Sequence, residues 1–293
     1  MKFDGAYTAL VTPFKDGAVD EQAFEELIQR QIAAGITGIV PVGTTGESPT
    51  LSHEEHGQVV ALAVKYAAGR CQVIAGTGSN STQEAVSLTQ EAEKLGVDGA
   101  LLVAPYYNKP SQEGLYRHYR AIAESTGVDL ILYSIPGRCG VEIGVDTVAR
   151  LAADCKNIVA IKEAGGDVER VSLLREVLPE SFGVLSGDDS MTVPFMSVGA
   201  RGVISVASNL VPEVVVNLVK AGLSGDFQEA RGIHQKYFRL FKDLFLETNP
   251  VPIKQALAWK WGGSAECRLP LWEMSSGNQE RLKNLLKKLE ILG

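Results

Sequence analysis

Eight short apolar runs, separated by amphipathic stretches, occupy the chain up to about residue 225. They cover residues 6–12, 38–43, 71–76, 99–105, 129–136, 157–164, 182–187 and 202–207. Most are apolar throughout and do not alternate with polar residues, the signature of parallel strands buried on both faces. The stretches between them have helical spacing. Residues 20–34, for example, put Phe24, Leu27, Ile28 and Ile32 on one stripe. Ser52-x-x-Glu55 and Ser81-x-x-Glu84 have the pattern of capping boxes opening the second and third helices. Gly35/Gly38, Gly96/Gly99 and Gly199/Gly202 end a helix and turn the chain into the next strand.

Strand–helix units recurring at roughly 25–30 residues, eight in number, predict an α/β fold of the (β/α)₈ TIM-barrel type. The alternative, a doubly wound open sheet, lacks its dinucleotide fingerprint. After residue 225 the pattern is helical only, over 226–246, 253–261 and 278–292. The expected organisation is a barrel over 1–225 carrying the chemistry and a C-terminal helical extension over 226–293 packed on it. No low-complexity linker divides the two.

Charge and cysteine usage narrow the partners. A net charge of −7 without a basic cluster argues against nucleic acid. The four cysteines are scattered with no C-x-x-C pair, which favours a reducing compartment over a disulfide framework or a zinc–thiolate site. No apolar h-region follows Met1 to Gly5, and no run is long enough to span a bilayer. The expectation is a cytoplasmic protein with no membrane partner.

In a barrel the chemistry lies at the C-terminal ends of the strands and in the loops that follow. The second run ends in Gly43-Thr44-Thr45-Gly46-Glu47, the fourth in Pro105-Tyr106-Tyr107-Asn108, and the fifth carries Tyr133 into Pro136-Gly137-Arg138. The sixth carries Lys162-Glu163, the seventh ends in Gly187-Asp188-Asp189, and the eighth contains Ile204-Ser205. Lys162 alone among the lysines closes a tight apolar run at the end of an inner strand. Burial there disfavours the ammonium and frees a nucleophilic amine. A plainer reading pairs Lys162 with Glu163 or lets it reach water. The 43–47 loop offers hydroxyls and backbone N–H groups for a carboxylate, or is an ordinary turn. Tyr133 is a proton shuttle or a core aromatic, and Arg138 clamps a second carboxylate or makes a surface ion pair. His53 and His56 with Glu84 raise the option of a metal-dependent aldolase, but their spacing is not that of a zinc helix and no third histidine or cysteine joins them.

Taken together, Gly43-Thr44-Thr45-Gly46-Glu47, Tyr133-x-x-Pro136-x-Arg138 and Ile161-Lys162-Glu163 resemble the signatures of the dihydrodipicolinate synthase family. That family lies within the pyruvate-dependent aldolase and N-acetylneuraminate lyase superfamily. The resemblance runs over essentially the whole chain, including Thr248-Asn249-Pro250. It implies that Lys162 forms an imine with pyruvate and that Thr45 holds the pyruvate carboxylate. Tyr133 would exchange protons through Thr44 and Tyr107, the last supplied by a neighbouring subunit. Gly187 and Ile204 would line the pyruvate site through their backbone. Arg138 would receive the carboxylate of L-aspartate 4-semialdehyde, and neither metal nor organic cofactor is implied. The resemblance further implies feedback by L-lysine at Ser48, Pro49, His53, His56, Asn80, Glu84 and Tyr106, and a homotetramer built as a dimer of dimers. Ser134, Cys139 and Pro49 depart from the family pattern: the first two are not expected to carry chemistry, and Pro49 bears on inhibition. Sister aldolases acting on a sugar acid or hydroxy-oxoglutarate, and a non-catalytic sensor of lysine or pyruvate, are the competing readings.

Overall fold

The computed structural model describes residues 3–293. The eight runs become strands β1 Gly5–Ala9, β2 Gly38–Val40, β3 Gln72–Gly76, β4 Gly99–Val103, β5 Asp129–Ser134, β6 Ile158–Glu163, β7 Gly183–Ser186 and β8 Gly202–Ser205. Every neighbouring pair is parallel, and β1 bonds to β2 on one side and β8 on the other, so the sheet closes. This is the (β/α)₈ barrel expected from the run pattern, with a small hairpin, Phe14–Lys15 against Ala18–Val19, between β1 and the first helix.

The absence of alternation has its cause in two separate apolar layers. Tyr7, Val40, Ile74, Leu101, Ile131, Leu185 and Ile204 point inward and fill the barrel. Leu102, Leu130, Leu132, Ile161, Val184 and Val203 point outward against the helices. A strand whose two faces are both dry gains from an apolar residue at every position. Several strands are shorter than their apolar runs. β2 stops at Val40 while Pro41 and Val42 leave the sheet to start the following loop.

The helices that cover the barrel are α1 Glu21–Ala33, α2 His53–Ala67, α3 Thr82–Leu95, α4 Gln112–Glu124, α5 Val145–Asp154, α6 Val168–Val177, α7 Thr192–Ser197 and α8 Pro212–Ser224, and a single helical turn, Pro136–Cys139, follows β5. The tail adds α9 Phe227–Asp243, α10 Val251–Trp261 and α11 Ser276–Lys288. Its Leu240, Phe241, Leu282 and Leu286 join the apolar cluster of the barrel helices. Ser52 forms the full reciprocal capping box with Glu55, at 3.1 and 2.9 Å. Ser81 does not: it caps α3 by accepting from the Glu84 N–H at 3.4 Å, but the Glu84 carboxylate turns away to Ser79 and His53. The Ser81 N–H goes to the Ser79 hydroxyl instead, at 3.0 Å, so Glu84 is not needed for the cap.

Two glycines are required by geometry. Gly96 ends α3 in the left-handed region at φ 86°. A Cβ on Gly202 would lie 1.9 Å from the Gly5 carbonyl oxygen, where β8 and β1 close the barrel. Among the described residues, no helix is long and apolar enough to cross a membrane.

Candidate active site

Lys162 occupies the inward face of β6, one residue before the strand ends. A register shift between Leu130 and Ile131 sets β5 against β6 so that Tyr133 sits directly beside Lys162. The lysine Nζ lies 4.1 Å from the centroid of the Tyr133 ring. Only 6% of Lys162 is exposed, and burial brings its ammonium down to about 7, with Arg138 acting in the same direction and Asp189 opposing. Its sequence neighbour Glu163 points the opposite way, out of the barrel, and is held by Arg170 at 2.7 Å and by the Gly165 N–H at 2.7 Å. The plainer reading of Lys162 as a partner of Glu163 is therefore excluded by the pleat of the strand.

Burial pushes the Tyr133 phenol up from its ordinary value, with Arg138 and a hydrogen bond to Thr44 acting against it. Opposite them is the loop after β2. It carries Val42 at φ 49° and Glu47 at φ 55°, a left-handed conformation that is unusual for any residue with a Cβ and most of all for valine. Backbone held in such sparsely populated regions persists only where surrounding structure fixes it. Here the fixing group is a buried ion pair: Glu47 accepts from the Lys254 ammonium of α10 and from the Arg268 N–H at 3.0 Å. Gly187, after β7, leaves room for the lysine stem, since a Cβ there would come within 2.9 Å of the Lys162 Cε.

Thr44, Thr45, Tyr133, Arg138, Lys162 and Gly187 line one cavity of about 430 Å³. Ile204 is fully buried and belongs to the interior layer of barrel side chains. Tyr107 is 90% exposed, with φ 70°, and is not among the residues lining the cavity of its own chain.

The cavity continues to the residues set apart for an effector. Ser48, Pro49, His53, His56, Glu84 and Tyr106 line it as well. His53 meets Glu84 at 2.9 Å, and the Ser79 hydroxyl with His53 holds the Glu84 carboxyl below its usual range. His56 is buried, its Nε2 2.9 Å from the Gly76 carbonyl, and burial lowers its pKa. Asn80 is not among the residues lining the cavity; it donates to the Tyr106 carbonyl at 3.2 Å.

The site roles assigned from the sequence leave out Asp189, Asn249 and Phe245. Asp189 is buried and accepts from the Val206 and Ala207 N–H groups at 3.0 Å each, and burial raises its carboxyl to about 6. Its position after the β7 strand end was the available signal. Asn249 and Phe245 of the tail line the cavity; Asn249 lies in the Thr248-Asn249-Pro250 stretch of the family resemblance, which attaches no role to it, and nothing in the local pattern marks Phe245.

The fold and this geometry define a barrel enzyme whose polar groups, one buried lysine among them, converge at the C-terminal ends of the strands. The Dihydrodipicolinate synthetase family model matches residues 2–289. The 4-hydroxy-tetrahydrodipicolinate synthase of Aquifex aeolicus is 52% identical over 290 residues, 99% of this chain and 98% of that protein. The structure of the corresponding enzyme from Methylacidiphilum fumariolicum SolV superposes with a TM-score of 0.97 at 57% identity, covering 98% of this chain and 96% of that one. The chloride-inhibited enzyme of Acinetobacter baumannii, solved in complex with pyruvate, gives 0.96 at 46% identity with 99% of both chains covered. The enzyme of Cyanidioschyzon merolae, solved with lysine bound, gives 0.96 at 40% identity, again with 99% of both chains covered. The chain belongs to the dihydrodipicolinate synthetase family and is one of its enzymes.

Proposed function

We propose that this enzyme condenses pyruvate with L-aspartate 4-semialdehyde, through an imine on Lys162, to give 4-hydroxy-tetrahydrodipicolinate for lysine synthesis by way of diaminopimelate. The observation that carries the reading is the Lys162 amine. It is buried beside Tyr133 in a cavity that also holds the Thr44–Thr45 loop and Arg138. With its pKa near 7, roughly half of the amine is neutral and nucleophilic at pH 7. The pyruvate-bound relative supports the choice of first substrate.

The neutral Nζ adds to the pyruvate ketone carbon, and the ketone oxygen leaves as water. The protonated imine is an electron sink, so a methyl proton is lost and an enamine forms. The enamine carbon attacks the aldehyde of the second substrate, whose oxygen takes a proton and becomes the hydroxyl group. The amine of that substrate then adds to the imine carbon and expels Lys162, closing the six-membered ring. Tyr133 exchanges protons in these steps with Thr44 and with Tyr107 of a neighbouring subunit. Thr45 and the backbone at Gly187 and Ile204 hold the pyruvate, while Arg138 takes the second carboxylate. The test is borohydride reduction in the presence of pyruvate. One adduct per chain on the Lys162 peptide is expected, and a Lys162→Ala protein labelled to the same extent would overturn the assignment.

A second reading concerns control. L-Lysine binds where Glu84 and Tyr106 line the cavity, with the Glu84 carboxylate meeting its ammonium group and Tyr106 packing on its stem. The lysine-bound relative supports this. The assembly is a dimer of dimers in the cytoplasm, a setting in accord with four unpaired cysteines. In a reductase-coupled assay, turnover suppressed by L-lysine is the expected result. Turnover indifferent to lysine would discard the control while leaving the reaction, and would point first to Pro49.

A further inference from the structure

Asn249 stands outside the barrel strands, in the segment between α9 and α10, yet it touches both candidate anion-binding groups of the cavity. Its Nδ2 donates to the Thr45 Oγ1 at 2.9 Å, and its backbone carbonyl accepts from the Arg138 guanidinium at 3.2 Å. Both Asn249 and Thr45 are buried, at 4% and 3% exposure. The Asn249 Oδ1 has no hydrogen-bond partner in the chain.

A threonine hydroxyl has one proton and two lone pairs. Because the Thr45 oxygen already accepts from Asn249, its single proton is left to donate elsewhere, and Thr45 lines the cavity. The amide thus turns an ambivalent hydroxyl into a directed donor, before any anion arrives. A donor fixed in advance costs no reorganisation on binding. Stability alone does not call for an amide at this position, because an apolar residue of similar shape would leave no buried Oδ1 unpaired.

We propose that Asn249 is a positioning residue for carboxylate recognition: it orients the Thr45 hydroxyl towards the pyruvate carboxylate and steadies Arg138 for the second substrate. The tail of the chain thereby completes the binding site of the barrel. This rests on the reading of Thr45 as a pyruvate ligand given above.

The experiment is a double-mutant cycle on the full-length enzyme, with Asn249→Leu, Thr45→Val and the pair, followed by KM and kcat for pyruvate and by melting temperature. Asn249→Leu is expected to raise the pyruvate KM about tenfold with the melting temperature kept and kcat changed much less. In the Thr45→Val background it should add less than about twofold, since the group it acts through is gone. Asn249→Asp keeps the shape and serves if the leucine variant does not fold. Its carboxylate must take the Thr45 proton for itself, so the KM should rise further than in the leucine protein. An unchanged pyruvate KM in either folded variant, or KM effects that multiply in the double mutant, would overturn the proposal. Borohydride labelling of Lys162 separates the two levels. Failure of the wild type to label sinks the imine reading itself. Normal labelling with a Thr45→Val KM equal to wild type sinks the Thr45 assignment on which the role of Asn249 depends.

Discussion

At the scale of the residue, the decisive fact is that Lys162 is held in a place where its charge is unwelcome. Burial strips the ammonium of water, and the opposing pull of Asp189 is too weak to restore its ordinary value. The same displacement has a consequence for stability. In the unfolded chain the amine keeps its proton up to about 10.5, whereas in the folded protein it loses it near 7. Between those values the unfolded state binds more protons, so this residue's contribution to stability rises with pH, and below about 7 its full cost is present. Lys162→Met should therefore be inactive, unlabelled by pyruvate and borohydride, and more heat-stable than the wild type at about pH 6, with the gain shrinking towards pH 10. A methionine variant less stable than wild type at the acid end would contradict the burial argument.

At the scale of the element, α10 acts on the loop after β2 across more than half of the chain. Lys254 reaches Glu47 with exposures of 3% and 0% on the two side chains, so neither charge has water as an alternative partner. The Lys254 ammonium also donates to the Glu266 carbonyl at 2.8 Å and lies 4.2 Å from the centroid of the Phe14 ring. Removing one member of a buried pair leaves the other uncompensated, at a cost of about 3–5 kcal/mol. Lys254→Met should show a loss of that order in urea unfolding, and adding Glu47→Gln should recover part of it. Losses of Lys254→Met and Glu47→Gln that simply add in the double variant would show that the pair is not coupled. The left-handed Glu47 backbone depends on the same anchor, so pyruvate affinity should fall along with stability in Lys254→Met.

At the scale of the whole molecule, Tyr107 is the residue that a single chain leaves unused. It is 90% exposed in a left-handed conformation beside the loop that carries Tyr106 to the cavity. A large aromatic presented in this way is suited to a surface that another subunit covers. If Tyr107 acts across a dimer interface, two inactive proteins should complement each other. Mixing Lys162→Met with Tyr107→Phe under subunit exchange creates hybrid dimers with one intact site, and about one quarter of wild-type activity should return. No recovery, with exchange verified by mass, would place Tyr107 in its own chain or outside catalysis. The cavity belongs to this scale as well, because Lys162 and Glu84, which stand far apart in the chain, line the same space.

Local pattern along the chain is enough to specify the fold. Apolar runs without alternation specify strands dry on both faces, and their number and spacing specify the closed barrel. The strand ends, taken in order, carry Thr44, Thr45, Tyr133, Arg138, Lys162 and Gly187, and these line one cavity. The same local reading failed where a side chain had two possible partners. Ser81-x-x-Glu84 has the spacing of a capping box, but Glu84 finds stronger partners in Ser79 and in His53 of another helix. The folded molecule settles that choice, and it also joins polar groups that lie far apart in the chain. Asn249 meets Thr45 across 204 residues and Lys254 meets Glu47 across 207. Periodicity reports which face of an element is dry, because that is a property of neighbours a few residues apart. Which buried polar group meets which is settled by chain closure and by the cost of leaving any of them unpaired, and both are properties of the folded whole.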